Sequence, residues 1–309
     1  MRVLVTGAAG YVGYAVGRRL VAAGHEVGGL VRRPGRDLPP GVRPVVGDLL
    51  DPAGLGAVLD EPYDAVCHLA ALTRVRESFA EPLRFFTANV QGTVNLLEAL
   101  PRTVTRVVYG STAAVYGAPD RQPIPEEQAP APTSPYGASK LAAEQAVLFH
   151  ARTGAAGAVV LRTFNVAGSV GGRPDPDETR LIPKALAVAA GRAAELQING
   201  DGGAVREYLH VDDLAAAHVR ALEGCPPPGE GRVYNAGGGA GASVREVIKA
   251  VEDVTGRPVP TVRRPPQPEP PLLVCDARAI RRDLGWRPAR SALPEIIADA
   301  WAAVRSTGG

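Results

Sequence analysis

The sequence has few cysteines, almost no net charge and no long hydrophobic run. Its cysteines, Cys67, Cys225 and Cys275, are odd in number and far apart, which argues against a disulfide framework and against zinc spacing. Lysine and arginine number 34 against 32 for aspartate and glutamate, and a net charge of +2 gives no case for a nucleic-acid or membrane partner. No apolar stretch approaches a membrane span, and a strand pattern beginning at Arg2 leaves no room for a signal peptide. We therefore expect a cytoplasmic protein with reduced thiols and no metal.

The chain is long enough for a sizeable core. It has 309 residues, 45% apolar and 21% charged, and it contains no internal repeat. Strand and helix patterns alternate over the first half, which predicts an α/β fold with a doubly wound parallel sheet, a Rossmann fold. We assign residues 1–165 to this dinucleotide-binding domain, and a later segment, about 205–236, partly returns to it. Residues 166–309, where the pattern is looser, are predicted to form a smaller C-terminal α/β domain that binds the substrate.

A glycine-rich turn lies at the beginning of the chain. The apolar run 2–6 leads directly into Gly7-Ala8-Ala9-Gly10-Tyr11-Val12-Gly13, and a helical pattern follows. Glycines let the backbone approach a pyrophosphate, and the free N–H groups at the helix start favour its negative charge. This order predicts a dinucleotide site, with a plain strand-turn-helix as the alternative. A second run, Gly237-Gly238-Gly239, is interpreted as a turn and not as a second nucleotide site.

The end of the second predicted strand, 26–31, bears on which dinucleotide binds. Folds specific for NAD usually carry an acidic residue about 20 residues after the glycines, where it holds the ribose hydroxyls. Here that position is Val31, followed by Arg32 and Arg33. A guanidinium pairs with a 2′-phosphate, which a carboxylate would repel. The segment therefore favours NADP, with NAD possible and two solvated arginines as the alternative interpretation.

The segment Tyr136-Gly137-Ala138-Ser139-Lys140 is the principal candidate for the chemistry. The preceding Thr133-Ser134-Pro135 is typical of a helix start, which puts Tyr136 and Lys140 one turn apart on the same helix face. A free tyrosine has a pKa of about 10, and we expect the neighbouring ammonium to lower the pKa of Tyr136. A phenol with a lowered pKa can exchange a proton with a sugar hydroxyl or carbonyl.

Further polar residues follow the predicted strands or lie among apolar neighbours. Ser111 and Thr112 come after the fifth predicted strand, which ends at residue 109, and open α/β sheets bind ligands at such strand ends. Asp48 follows the third strand and can reach an adenine edge. Asn89 lies within a predicted helix over 82–100, where a buried amide needs partners. His68 is interpreted as a packing residue.

With these segments placed, the chain resembles the extended short-chain dehydrogenases/reductases, in particular the nucleotide-sugar epimerases and dehydratases. The resemblance covers nearly the whole length. Its motifs are TGAAGYVG at 6–13, GDLLD at 47–51, HLAA at 68–71, STAAVYG at 111–117, YGASK at 136–140, RTFNVAG at 162–168, REYLHVDD at 206–213 and DLGWRP at 283–288. Motifs in this order are specific to the group, though not to one member.

The resemblance implies a role for each motif. Tyr136 would transfer the proton, and Lys140 would bind the nicotinamide ribose and lower the tyrosine's pKa. Thr112 would be the catalytic hydroxyl, with Ser111 beside it. The cofactor would contact Gly7, Gly10, Tyr11, Val12, Gly13, Arg32, Asp48, Leu49, Leu69, Ala70, Ala71, Asn89, Tyr136 and Lys140. The substrate, a UDP-, dTDP- or GDP-linked sugar, would contact Thr73, Thr112, Asn165, Arg206 and Arg264. The arginines would bind its phosphates, with a solvated side chain as the alternative for Arg264.

Three departures from the family pattern bear on the reaction. Sugar 4,6-dehydratases carry an Asp-Glu pair where this chain has Ala113-Ala114, so dehydration is not expected. This leaves epimerisation at C4 through a transient 4-keto sugar, with NADPH-dependent reduction of a 4-keto sugar as the alternative. Val31-Arg32 favours reduction, because net reductases generally use NADPH. The usual Arg-x-Gly-Asp reads Arg264-Pro265-Pro266-Gln267, which leaves the contacts of that loop open.

Two further expectations concern catalysis and assembly. A non-catalytic, cofactor-sensing protein on the same fold is a third alternative, but such proteins typically lose the tyrosine or the lysine, and both are present. In relatives, the helices corresponding to 83–100 and 138–152 form a four-helix dimer interface. Their apolar surface in this chain predicts a homodimer. Leu273 falls near a position that helps limit the size of the C2 substituent in related epimerases.

Overall fold

The computed structural model describes residues 1–267 and 270–306. Its first part contains β1 (Arg2–Thr6), α1 (Tyr11–Ala22), β2 (Glu26–Val31), β3 (Val42–Val46), α2 (Pro52–Val58), β4 (Ala65–His68), α3 (Val75–Ala80), α4 (Pro82–Phe86), α5 (Gly92–Ala99), β5 (Arg106–Thr112), α6 (Pro135–Arg152) and β6 (Gly157–Thr163). Its second part contains β7 (Asn165–Ala167), β8 (Ser169–Val170), β9 (Arg173–Pro174), α7 (Leu181–Ala189), β10 (Leu196–Asn199), β11 (Val205–His210), α8 (Val211–Glu223), β12 (Gly231–Ala236), β13 (Gly241–Ser243), α9 (Val244–Thr255), β14 (Thr261–Arg264), β15 (Leu272–Leu273), α10 (Arg278–Leu284) and α11 (Leu293–Ser306).

Seven parallel strands form the larger sheet, in the order β12-β6-β5-β4-β1-β2-β3. The central strands read as continuous apolar runs because both faces of a parallel sheet are covered by helices. One apolar cluster packs the sheet against α1 and α8, and a second packs its other face against α2, α5 and α6. The predicted α/β fold with a doubly wound parallel sheet is therefore confirmed.

The later part of the chain forms smaller sheets and a third apolar cluster. β11 pairs with β7, β13 and β15, while β10 pairs with β14 in a separate sheet. Helices α7, α9 and α11 share the third cluster. The segment predicted to return, about 205–236, does so only from α8 onward: α8 packs on α1, and β12 adds to the large sheet beside β6. The assignment of 166–309 to substrate binding stays a prediction.

Local sequence signals explain where the site-bearing helices begin. Ser134 caps α6 by accepting a hydrogen bond from the amide of Gly137 over 3.1 Å, and Pro135 is the first helical residue, as predicted. The predicted helix over 82–100 is interrupted by a π-helical turn, Thr87–Gln91, between α4 and α5. No helix among the described residues is both long enough and apolar enough to cross a bilayer.

Candidate active site

The turn after β1 brings the backbones of three glycines into close contact. Gly7 has a φ of +69°, and a Cβ there would lie 2.9 Å from the amide nitrogen of Ala70. A Cβ at Gly13 would lie 2.0 Å from the carbonyl oxygen of Gly7, and the amide of Gly10 donates to that same oxygen over 2.9 Å. A side chain at Gly7 or Gly13 would therefore disrupt the turn, which seats the start of α1 against the end of β4.

The Thr6 hydroxyl joins the ends of β1 and β4. It lies 2.7 Å from Nδ1 of His68 and accepts hydrogen bonds from the amides of Leu69 and Ala70, each over 3.1 Å. Burial lowers the pKa of His68 to about 3, and the charge of Lys140 adds to the lowering. The imidazole is therefore neutral, and the Thr6 hydroxyl that it contacts holds the loop that carries the predicted cofactor residues after β4.

Thr112, Tyr136 and Lys140 come together where β5 ends and α6 begins. Tyr136 lies in the first turn of α6, and Lys140 follows one turn later on the same face. Both side chains are buried, and Thr112 is half-buried. Burial raises the pKa of Tyr136, while hydrogen bonding by Thr112 and the charge of Arg180 lower it. The prediction that Lys140 lowers this pKa is wrong for this structure, because desolvation outweighs the nearby charges and Lys140 is not among the groups that lower it.

The Lys140 ammonium lies over an aromatic ring. Its Nζ is 4.1 Å from the ring centroid of Tyr109. Burial lowers the pKa of Lys140 to about 7, and the carboxylate of Glu144, one helical turn further along, opposes this shift. The ammonium and the neutral amine are therefore both populated near neutral pH, and small changes in its surroundings alter the balance.

Ser111 is bound by a buried carboxylate of α6. Its hydroxyl donates to Oε2 of Glu144 over 2.9 Å. The same buried carboxylate pairs with Arg162, whose Nη1 donates to the hydroxyl of Tyr116 over 3.0 Å. Successive strand residues point to opposite faces, so the two hydroxyls leave β5 on opposite sides. The Ser111 hydroxyl is bound within this buried network, which argues against the catalytic role predicted for it.

The side chain of Asn89 is hydrogen-bonded to other residues of the protein. It is 1% exposed and lies in the π-helical turn, a type of distortion that often occurs at functional sites. Its Oδ1 accepts from the amide of Leu72 over 2.8 Å, and its Nδ2 donates to the Leu72 carbonyl over 3.1 Å and to the Ser139 hydroxyl over 2.9 Å. The side chain predicted to contact the cofactor therefore holds the loop after β4 against α6.

The other predicted cofactor residues lie at the carboxyl ends of neighbouring strands. Arg32 is exposed directly after β2, which ends at buried Val31. Asp48 follows β3, where its Oδ1 accepts from the amide of Leu50 over 3.0 Å. Leu49, the next residue, is half-buried. Tyr11, at the start of α1, donates its hydroxyl to the carbonyl of Gly168 over 2.8 Å, which ties the glycine turn to the chain after β7.

The predicted substrate residues are distributed over two sheets. Asn165 lies on β7 and Arg206 on the adjacent β11, where Arg206 is paired with Leu273 of β15. Arg264 lies in the separate β10–β14 sheet and is exposed. Thr73 is exposed in the loop after β4. The structure thus places Asn165 and Arg206 on neighbouring strands, but it does not place Arg264 on either of them.

A buried carboxylate accounts for the second glycine run. Glu207 accepts hydrogen bonds from the amides of Gly239 over 3.0 Å and Cys275 over 2.7 Å. A Cβ at Gly237 would lie 1.7 Å from Oε1 of Glu207. The run is therefore a turn around this carboxylate, which confirms its interpretation as a turn.

Sequence reasoning missed Arg180. This residue directly precedes α7, and its guanidinium pairs with Asp175 at 3.0 Å and Asp177 at 3.5 Å. Its positive charge lowers the pKa of Tyr136 and of Tyr11, although burial raises both overall. The available signal was a single arginine after three acidic residues, Asp175, Asp177 and Glu178.

Comparison with known proteins identifies the family. Residues 3–237 match the NAD dependent epimerase/dehydratase family. The chain belongs to this family. The UDP-glucose 4-epimerase of Streptomyces lividans is 42% identical over 315 aligned residues, which cover 96% of this chain and 94% of that protein. The predicted extended short-chain dehydrogenase/reductase family, and with it an enzyme, is confirmed.

Solved structures agree with this assignment over the full length. A UDP-glucose 4-epimerase from Stenotrophomonas maltophila, with bound NAD and formylated UDP-arabinopyranose, has a TM-score of 0.92 at 34% identity, and the match covers 99% of this chain and 98% of that one. One from Bifidobacterium longum, in complex with NAD+ and UDP, has a TM-score of 0.88 at 31% identity and covers 100% and 99%. This enzyme family therefore accounts for both the large sheet and the later part of the chain.

Proposed function

We propose that the protein is a nucleoside-diphosphate-sugar 4-epimerase that acts on a UDP-linked sugar through a transient 4-keto sugar. The observation that carries the proposal is the meeting of Thr112, Tyr136 and Lys140 at the end of β5 and the start of α6, in a chain whose full length is similar to UDP-glucose 4-epimerases. Hydride exchange with one acid/base residue is sufficient for this reaction, and Tyr136 is that residue.

The glycine turn fits a nicotinamide dinucleotide. Gly10, at the N-cap of α1, offers no side-chain cap, and the first turn of α1 contains no acidic residue. The free N–H groups and the partial positive charge of this helix end therefore remain available to a pyrophosphate. Close packing at Gly7 and Gly13 lets backbone atoms approach it. When bound, the dinucleotide supplies reversible hydride transfer.

Tyr136 moves the proton of the sugar's C4 hydroxyl. With its raised pKa the phenol rests protonated, so accepting that proton requires cations that stabilise the phenolate. Arg180 is one such cation, and Thr112 supplies a hydrogen bond that also favours the phenolate. Lys140, one helical turn away on the same face of α6, is proposed to be the second cation once the dinucleotide is bound. Asn165 and Arg206, on adjacent strands, are proposed to hold the sugar diphosphate.

The alternatives receive less support. Ala113 and Ala114 lie in the short 3-10 turn after β5, where methyl groups cannot exchange protons for a dehydration. Reduction of a 4-keto sugar was favoured by Val31 and Arg32 alone, and the named relatives give it no support. The presence of Tyr136 and Lys140 in one buried group argues against a non-catalytic sensor.

The deciding experiment is an assay for interconversion of UDP-glucose and UDP-galactose by the purified protein and two tyrosine variants. Tyr136→Phe removes the proton carrier and is expected to lower kcat by roughly a thousandfold. Tyr234→Phe, on edge strand β12, is the matched control and should keep kcat within about twofold. Full activity in Tyr136→Phe would contradict the role of the phenol, and no interconversion by the wild-type protein would contradict the reaction.

For the cofactor, we propose NAD. The solved relatives contain NAD, and they give no support to the NADP preference predicted from Val31 and Arg32. Arg32 is exposed and forms no ion pair within residues 1–267 and 270–306. This fits the alternative interpretation, in which Arg32 is a solvated arginine. Mass spectrometry of the dinucleotide released on denaturation tests this directly. Arg32→Gln is expected to leave NAD affinity within about twofold, whereas release of NADP would restore the sequence-based prediction.

We also propose that the protein is a homodimer. Phe79, Leu83, Phe86 and Phe149 expose between 38% and 79% of their surface on α3, α4 and α6. Apolar groups clustered on neighbouring helices favour a partner surface of the same kind. Light scattering at micromolar concentration should give twice the chain mass, and Leu83→Glu should give a monomer. Leu50→Glu, an exposed leucine outside these helices, is the control and should remain dimeric.

A further inference from the structure

Lys140 is a buried cation that lies against an aromatic face. It is 3% exposed, and its Nζ is 4.1 Å from the ring centroid of Tyr109, which is 1% exposed. Within residues 1–267 and 270–306 its ammonium forms no direct hydrogen bond or ion pair. A desolvated ammonium is costly unless something compensates its charge. The Tyr109 ring is the group in contact with it.

Two groups of the described structure compensate the charge of Lys140, namely the Glu144 carboxylate and the Tyr109 ring that contacts the ammonium. His68 and Tyr109 are neutral, since burial lowers the pKa of the first to about 3 and raises that of the second well above its usual value. Tyr136 rests protonated for the same reason. Glu144 is the one carboxylate among the described groups acting on Lys140, and it is already bound by Ser111 and Arg162.

The position of the ring is itself fixed. Tyr109 lies on β5 between β4 and β6, and its ring lies against that of His68 with centroids 5.6 Å apart. The ring therefore cannot follow the lysine side chain if that side chain moves. A fixed electron-rich face in contact with an ammonium is an arrangement that positions a cation.

We propose that the aromatic face of Tyr109 positions Lys140, holding its ammonium one helical turn from Tyr136. This inference rests on the proposed function, in which Lys140 supports proton transfer by Tyr136. Tyr109 is a positioning residue, because it acts through Lys140. Loss of the aromatic face makes the ammonium less stable, so Lys140 loses its proton at lower pH. The charged side chain then supports Tyr136 over a narrower pH range.

The test measures the titration of Lys140 directly. The pH dependence of its reaction with an amine-acetylating reagent, followed by mass spectrometry of the Lys140 peptide, gives its pKa in the folded protein without requiring activity. Tyr109→Phe keeps the aromatic face and should titrate as the wild type does. Tyr109→Leu should lower the pKa of Lys140 by about one unit, a tenfold change in the ratio of charged to neutral amine.

Two controls distinguish the effect of the aromatic face on the pKa of Lys140 from the effect of side-chain packing. Val108→Ala makes a cavity on the same strand but in the other apolar cluster, and it should leave the titration unchanged. Replacement of Tyr109 by pentafluorophenylalanine keeps the ring and removes its negative face, so it should lower the pKa as Tyr109→Leu does, even if Tyr109→Leu fails to fold. An unchanged Lys140 titration in the fluorinated protein overturns the proposal.

Kinetics provide the second measurement. In Tyr109→Leu and the fluorinated protein, kcat should fall about tenfold at pH 7.5, with KM within about threefold, and the alkaline limb of the kcat profile should move to lower pH. Unchanged profiles in an active epimerase overturn the inference and leave the proposed function standing. A shifted Lys140 titration in a protein that does not epimerise supports the inference and removes the proposed function.

Discussion

The Ser111 hydroxyl donates to the carboxylate of Glu144 over 2.9 Å, on the face of β5 opposite to Thr112. We therefore expect the adjacent hydroxyls of Ser111 and Thr112 to affect different quantities, namely stability and activity. Thr112→Val should lower kcat by roughly a hundredfold, because the phenol of Tyr136 loses the hydrogen bond that orients it. Ser111→Ala should keep kcat within about twofold but lower the free energy of unfolding by about 1–3 kcal/mol, because a buried carboxylate loses a donor.

Steady-state kinetics and urea unfolding of the two variants distinguish these effects. The free energies should be compared at one pH, since both variants lie near buried ionisable groups. If Ser111→Ala lost as much kcat as Thr112→Val, the assignment of Ser111 to the buried network would be wrong.

A buried histidine should make the protein sensitive to acid. Nδ1 of His218 lies 2.9 Å from the carbonyl of Leu214, and burial lowers the pKa of His218 to about 4. Between about pH 6.5 and pH 4 the unfolded chain therefore binds a proton that the folded chain does not, so stability rises with pH across this window. This one group contributes a slope of about 1.4 kcal/mol per pH unit.

His218→Leu should flatten the dependence of the unfolding free energy on pH by that amount. His150→Gln, at a half-buried position on α6, is the control and should change the slope much less. Urea unfolding at pH 7, 6 and 5 measures all three proteins. An equal slope in wild type and His218→Leu would show that this imidazole does not resist protonation in the folded state.

Much of the dinucleotide half of the site was predictable because its signals are local. The apolar run of β1, the glycines after it and the helical pattern of α1 are contiguous in sequence, and a Rossmann sheet follows from the alternation of such units. The cap at Ser134 and the proline after it likewise fixed the start of α6, and hence the common face of Tyr136 and Lys140.

The errors arose where a side chain's direction depends on distant parts of the chain. β5 was predicted to end at residue 109, but it continues to Thr112. Had the longer strand been recognised, its alternation alone would have put Ser111 and Thr112 on opposite faces. The contacts of Asn89 with Leu72 and Ser139 join segments 17 and 50 residues away, which no local pattern reveals. The desolvation that raises the pKa of Tyr136 likewise depends on the whole fold.

The glycine turn permits a matched pair of alanine substitutions. In Gly13→Ala the new Cβ would lie 2.0 Å from the carbonyl oxygen of Gly7, so the backbone must shift where it is proposed to meet the pyrophosphate. We expect at least a tenfold loss of NAD affinity and a destabilisation of about 1–3 kcal/mol. In Gly56→Ala, on exposed α2, the Cβ meets no described atom within 4 Å, and helix propensity should stabilise the protein by about 0.5–1 kcal/mol. Isothermal titration with NAD and thermal unfolding measure both effects. Unchanged NAD affinity in a folded Gly13→Ala protein would show that the dinucleotide does not bind at this turn.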